Sequence, residues 1–178
     1  GNPNYKYLQI SNWLERGVYC KVTTYWMDGE TKKTGEEASF LIKSTKPHAT
    51  RAEVVFSGND IDTTTNTVEV PVGEATKTVN ISATVYDQKN GVMDGVTYTV
   101  KAYLGTKDSG GTEIKAPGEV EKASATLENG VLTITSEALS LLNPTTGAGA
   151  TITVEIAVNG ISDKITQEIK LVKAQSVA

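Results

Sequence analysis

Apolar residues recur at every second position along most of this chain, and no stretch keeps a helical period for long. From Val18 to Trp26, one face carries Val18, Cys20, Val22, Thr24 and Trp26. The other carries Tyr19, Lys21, Thr23 and Tyr25, as a half-buried strand requires. Asp28-Gly29 predicts a tight hairpin with positive φ at both central positions, and 38–43 predicts the returning strand. Ser44-Thr45-Lys46-Pro47-His48 reads as a linker, because Pro47 has no N–H for a ladder and biases Lys46 toward extended backbone.

The alternation restarts at Thr50. Strands are predicted over 51–56, 67–72, 77–86 and 96–104, with Val79, Ile81, Ala83 and Val85 on one face of the third. Residues 88–95 read as a loop and 105–118 as a flexible, Gly-rich polar excursion. Asn129-Gly130 predicts a hairpin joining 122–128 to 131–135, and Asn159-Gly160 another joining 151–158 to 162–173. Ser136 is placed to cap one helical turn running to Leu142. Many short strands with turn chemistry between them predict an all-β fold of β-sandwich modules. Region 50–173 is expected to form a single sandwich. Its predicted core is Val79, Ile81, Val85, Val100, Ile134, Ile152, Val154, Ile156 and Leu171. Residues 1–46 supply about three strands where a full sandwich needs about seven. That part is expected to have its open face covered by a neighbour, with self-association preferred.

Composition narrows the function classes. Over 178 residues the net charge is -4, which supplies no basic face for nucleic acid and no polybasic membrane anchor. No segment approaches the ~20 apolar residues of a membrane span, so no membrane insertion is expected. The opening Gly1-Asn2-Pro3-Asn4 lacks a charged head followed by an apolar stretch, and the expectation is an excerpt from a longer protein without a signal peptide. Cys20 is the one cysteine, which forbids an internal disulfide and suits folding in a reducing cytosol.

Candidate chemistry is sparse. Cys20 and His48 are the only residues from which a Cys–His nucleophilic pair could be built. Cys20 falls on an apolar strand face and His48 in a linker, so an inert thiol and a solvated imidazole are expected. Asn59, Asp60, Asp62 and Asn66 could offer oxygens to calcium, but the spacing is not that of a calcium loop and turn-making is the expected role. Asp87 and Asp94 flank a second loop with the same reading. No catalytic, cofactor or metal site is expected. Tyr5, Tyr7, Trp13, Tyr19, Tyr25 and Trp26 cluster early; an exposed stripe of rings could stack on sugars, and the expected role of Trp13 and Trp26 is to fill a core.

Leu14-Glu15-Arg16-Gly17-Val18-Tyr19-Cys20-Lys21-Val22 resembles the fibronectin type III signature, with Arg16 where that family usually has Pro. The resemblance implies that 1–47 is the C-terminal half of such a module and that Tyr19 makes its tyrosine corner. Residues 48–178 look like an immunoglobulin-like module. The closing run Ile152-Thr153-Val154-Glu155-Ile156-Ala157-Val158-Asn159-Gly160, with 164–173, is similar to a segment recurring in central tail fibre and tip attachment proteins of long-tailed bacteriophages. That resemblance implies a non-enzymatic structural and adhesive part of a virion. Its partners would be further copies in a homotrimer, other tail proteins and a host surface receptor. The rival is a bacterial cell-surface adhesion or carbohydrate-binding module, which must expose two or more coplanar rings.

Overall fold

The computed structural model describes residues 17–105, 111–143 and 149–174. The chain is all-β and divides into two compact units, Gly1–Pro47 and His48–Ala178. The division falls inside the segment where Pro47 interrupts the strand pattern.

The first unit is an antiparallel hairpin of β1 (Val18–Asp28) and β2 (Thr31–Ile42). Its loop is Gly29-Glu30, not Asp28-Gly29: Asp28 already pairs with Thr31, and of the two loop residues only Gly29 has positive φ. Glycine at the first central position is the signature of a II′ turn. The register shifts between Thr23 and Tyr25, where β2 carries an extra residue. Gly35 stands at that bulge. A Cβ on it would lie 2.5 Å from Thr24 Oγ1 and 3.2 Å from the Trp26 ring, so the indole lies across the strand on bare backbone.

The second unit contains two sheets. One has the order β3 (Ala49–Ser57), β6 (Thr76–Asp87), β10 (Val131–Thr135) and β9 (Ala125–Glu128), all antiparallel. The other runs β4 (Ile61–Asp62), β5 (Thr67–Val70), β12 (Ile165–Lys173), β11 (Ala150–Val158), β7 (Tyr98–Leu104) and β8 (Thr112–Glu113). In it β5 runs parallel to β12, with Thr67–Val70 beside Lys170–Lys173. Both sheets contribute to one continuous core, an arrangement consistent with a β-sandwich. Ile81 and Ile156, from different sheets, share that core, as the alternation predicts. Every other expected core residue is buried with them except Val100, which is only partly covered because β7 is followed there by the two-residue strand β8 and an open cleft.

Turn chemistry explains the connections. Asn129 and Gly130 both take positive φ and close β9–β10 in two residues, the I′ geometry. Asn159-Gly160 differs. Only Gly160 has positive φ, and β12 begins at Ile165, so the joint is a six-residue loop over 159–164. The region 105–118 is not a featureless excursion: Thr112–Glu113 pairs with β7, and Ile114 is buried, its N–H donating to the Ala102 carbonyl at 2.8 Å. The predicted helical turn is a 3-10 helix, Ser136–Leu141, capped by Thr135 and not Ser136. Thr135 Oγ1 accepts from Glu137 N–H at 3.3 Å, while Ser136 Oγ donates to the Gly73 carbonyl at 2.6 Å.

Gly130 is also a close-approach glycine. With φ of 74° and an added Cβ only 2.9 Å from the Ile81 carbonyl, Gly130→Ala is expected to cost about 1–3 kcal/mol, read as a lowered urea midpoint. An unchanged midpoint would refute this account of the turn.

Candidate functional surface

Each polar residue singled out in the sequence can now be placed. Cys20 lies on β1 opposite Phe40, partly buried, in the first unit. His48 belongs to the second unit, and its backbone N–H donates to Gln88 Oε1 at 3.1 Å.

The oxygen-rich segment 59–66 is engaged in building turns. Asp62 Oδ1 accepts from the N–H of Thr64 at 2.9 Å and from its hydroxyl at 2.6 Å. Asn66 has a φ of 54°, and its carbonyl accepts from Lys170 N–H at 2.8 Å. Asp60 has a subtler task. After β3 the chain leaves its sheet at Gly58, whose φ is 122°, and crosses to begin β4. Thr78 of β6 lies beyond the last β3 pair, Ser57 with Asn80; Asp60 Oδ2 accepts its N–H at 2.8 Å, and Lys77 Nζ lies 3.6 Å from Oδ1. A side-chain carboxylate thus takes over where the strand departs. Asp87 closes the second loop, its Oδ1 accepting from Lys89 and Gly91 N–H groups at 2.8 Å each. Asp94 is exposed in the same loop. Among the described residues no group of three His, Cys, Asp or Glu side chains gathers as a metal site.

The Thr64 hydroxyl and N–H, in that order, hold the Asp62 carboxyl below its ordinary value. A lowered folded-state pKa stabilises the turn above the ordinary carboxylate range, and this contribution is lost as pH falls through the lowered value. Titrating the Thr64 amide by NMR should therefore show its shift moving at a pH below that of an ordinary aspartate. A midpoint at or above that range would contradict the geometry.

One cleft of about 600 Å³ opens at the side of the second unit, where Ile81, Ile114 and Leu127 meet Tyr98, Lys101 and Glu113. Glu113 lies 3.2 Å from Lys115 Nζ and 3.8 Å from Lys101 Nζ, and the Lys115 hydrogen bond leads the effects that lower its pKa. These charges engage one another across the rim.

The hairpin has a different character. Cross-strand pairs Val18–Ile42, Cys20–Phe40 and Val22–Ala38 share one face and carry no charge, and Trp26, paired with Lys33, extends that face toward the tip. The opposite face is polar-laced: Lys21 Nζ lies 2.8 Å from Glu37 Oε2, and Lys32 Nζ lies 4.4 Å from the Tyr25 ring centre. Trp26 is 56 % exposed, so it does not fill a core as expected; among the described residues of this unit the β1–β2 hairpin is the only sheet. Tyr19 is 79 % exposed on the polar-laced face, and the upstream backbone that a tyrosine corner would engage lies outside the described residues. So do Tyr5, Tyr7 and Trp13.

No known family model and no curated protein matches this chain. No helix among the described residues is long and apolar enough to cross a membrane. The exposed apolar hairpin face is the candidate site, and its signal in the sequence is the alternation Val18, Cys20, Val22 and Trp26.

Proposed function

We propose that this chain is a non-enzymatic structural and adhesive segment of a bacteriophage tail tip or fibre, acting beside other tail proteins and further copies of itself during host attachment. The observation that carries this reading is the strand order of the second unit. Lettered along the chain, with β3 as A, β5 as A′ and β6 to β12 as B to G with β8 as C′, the sheets read A-B-E-D and β4-A′-G-F-C-C′, β4 being an additional two-residue edge strand. An A-B-E-D sheet with a G-F-C sheet is how immunoglobulin domains are arranged, so this lettered order supports the immunoglobulin-like half of the resemblance. The hairpin that precedes it supports a serial arrangement of β modules, and the carboxylates bonded into turns support a scaffold role.

Antibodies raised against the chain test the proposal. They should decorate the tail of phage particles from the source that encodes it, in electron micrographs, and block adsorption to host cells. Decoration of uninfected bacterial surfaces instead would overturn the reading. It would favour the adhesion or carbohydrate-binding rival, which the exposed rings of Tyr25 and Trp26 keep in play even though they lie on opposite hairpin faces.

A further inference from the structure

Glycine directly follows asparagine at Asn90-Gly91, Asn129-Gly130 and Asn159-Gly160. The backbone nitrogen of the residue after an asparagine can attack the side-chain amide, and glycine, lacking a Cβ, hinders that attack least. In a folded chain the glycine N–H must be free to lose its proton. The asparagine ψ must also be free to turn until that nitrogen faces Cγ. The three pairs differ in both respects.

At Asn90-Gly91 the proton is held. Gly91 N–H donates to Asp87 Oδ1 at 2.8 Å, a charge-assisted bond. The Gly91 carbonyl accepts from Asp87 N–H at 2.9 Å, and Asn90 N–H donates to the Asp87 carbonyl at 3.0 Å, so the whole pair is tied to one residue. At Asn129-Gly130 the rotation is blocked. These residues fill a two-residue turn inside the Glu128–Val131 rung, and the Gly130 carbonyl accepts Ile81 N–H at 2.7 Å. Turning ψ of Asn129 would splay that rung.

Asn159-Gly160 carries neither restraint. It is the centre of a type II turn closed by Ile161 N–H to the Val158 carbonyl at 3.1 Å, and it opens the loop over 159–164. Both residues are exposed, and among the described residues Gly160 N–H makes no hydrogen bond. Asn159 N–H, donated to the Thr97 carbonyl at 2.9 Å, lies on the far side of the rotating bond and anchors the residue while it turns.

We propose that Asn159 is a site of intramolecular covalent modification in the folded protein, with water as its one co-reactant. Gly160 N loses its proton to solvent and bonds to Asn159 Cγ. The Cγ–Nδ2 bond breaks, and the side-chain nitrogen leaves as ammonia with a proton from solvent. Water then opens the resulting five-membered imide at either carbonyl, giving aspartate or isoaspartate. The exposed loop gains a negative charge and, in the isoaspartyl form, an extra backbone carbon. This chemistry is independent of the tail reading.

The full chain is incubated at mildly alkaline pH, folded or in concentrated guanidinium chloride, and its proteolytic peptides are sequenced at intervals by mass spectrometry. In denaturant the three asparagines should convert at comparable rates. In the folded chain Asn159 should convert about tenfold or more faster than Asn90 and Asn129, the effect of one charge-assisted bond or one hairpin rung that must open first. Isoaspartate at 159, detected by enzymatic methylation, is expected because direct hydrolysis yields aspartate alone. Asp87→Ala frees Gly91 N–H and should raise conversion at Asn90 several-fold while leaving Asn159 unchanged. Circular dichroism checks that this variant is folded, and the parent chain with and without denaturant decides the matter if it is not. Equal folded-state rates at the three sites overturn the proposal. So does conversion fastest at Asn90 or Asn129, or a folded chain without isoaspartate at 159 after the denatured chain has fully converted.

Discussion

Truncating Ile156 to alanine is expected to cost about 3–4 kcal/mol, a large share of the 5–15 kcal/mol that holds a typical domain folded. Ile156 is fully buried on β11, the strand between β7 and β12, and it shares a core with Ile81 of the opposing sheet. Removing its outer carbons leaves a void that strands hydrogen-bonded on both sides cannot collapse to fill. Val72→Ala is the control, because Val72 is 67 % exposed and its truncation should stay within about 0.5 kcal/mol. Urea unfolding followed by far-ultraviolet circular dichroism measures both. Equal small costs would mean that the two sheets do not share a core.

The second large effect concerns Glu155, which points from β11 away from the core yet is only 3 % exposed, with its Oε1 3.1 Å from Lys164 Nζ. Lys164 is half-exposed, so water partly screens the pair. Replacing Lys164 by alanine removes a cation from beside a buried carboxylate and should cost about 2–3 kcal/mol, near the lower end for breaking a buried pair. Replacing both residues by methionine should recover most of that loss, since the desolvated carboxylate is then gone. The same urea titrations decide it. A Lys164→Ala variant as stable as the parent would show that the ion pair contributes nothing.

These two residues also show how far the sequence can be read. Ile156 is legible because period-two alternation assigns Ile152, Val154 and Ile156 to one face, and one face of a sandwich strand is always covered. Glu155 is not legible, since alternation places it in solvent. Its burial comes from flanking by β7 and β12, which only the strand order reveals. Asn129-Gly130 is a complete local instruction for a hairpin, whereas Asn159-Gly160 is overruled by pairing that starts only at Ile165. The two-residue strands β4 and β8 are too short to carry any period, and Ile114 is lost among polar neighbours. On the hairpin, the sequence marks the apolar face of Val18, Cys20 and Val22, but it assigns Trp26 to a core, whereas the ring is exposed.

The parallel seam between β5 and β12 bears on how this unit would respond to pulling. β5 lies near the start of the unit and β12 at its end, and they run side by side in the same direction through Thr67–Val70 and Lys170–Lys173. Tension applied to the chain on either side of the unit drags the start of β5 one way and the finish of β12 the other. The strands must then slide lengthwise past each other, loading all their rungs together, whereas a hairpin pulled at its two ends parts one rung at a time. The seam therefore acts as a shear clasp, which resists tension along the chain more than a hairpin would.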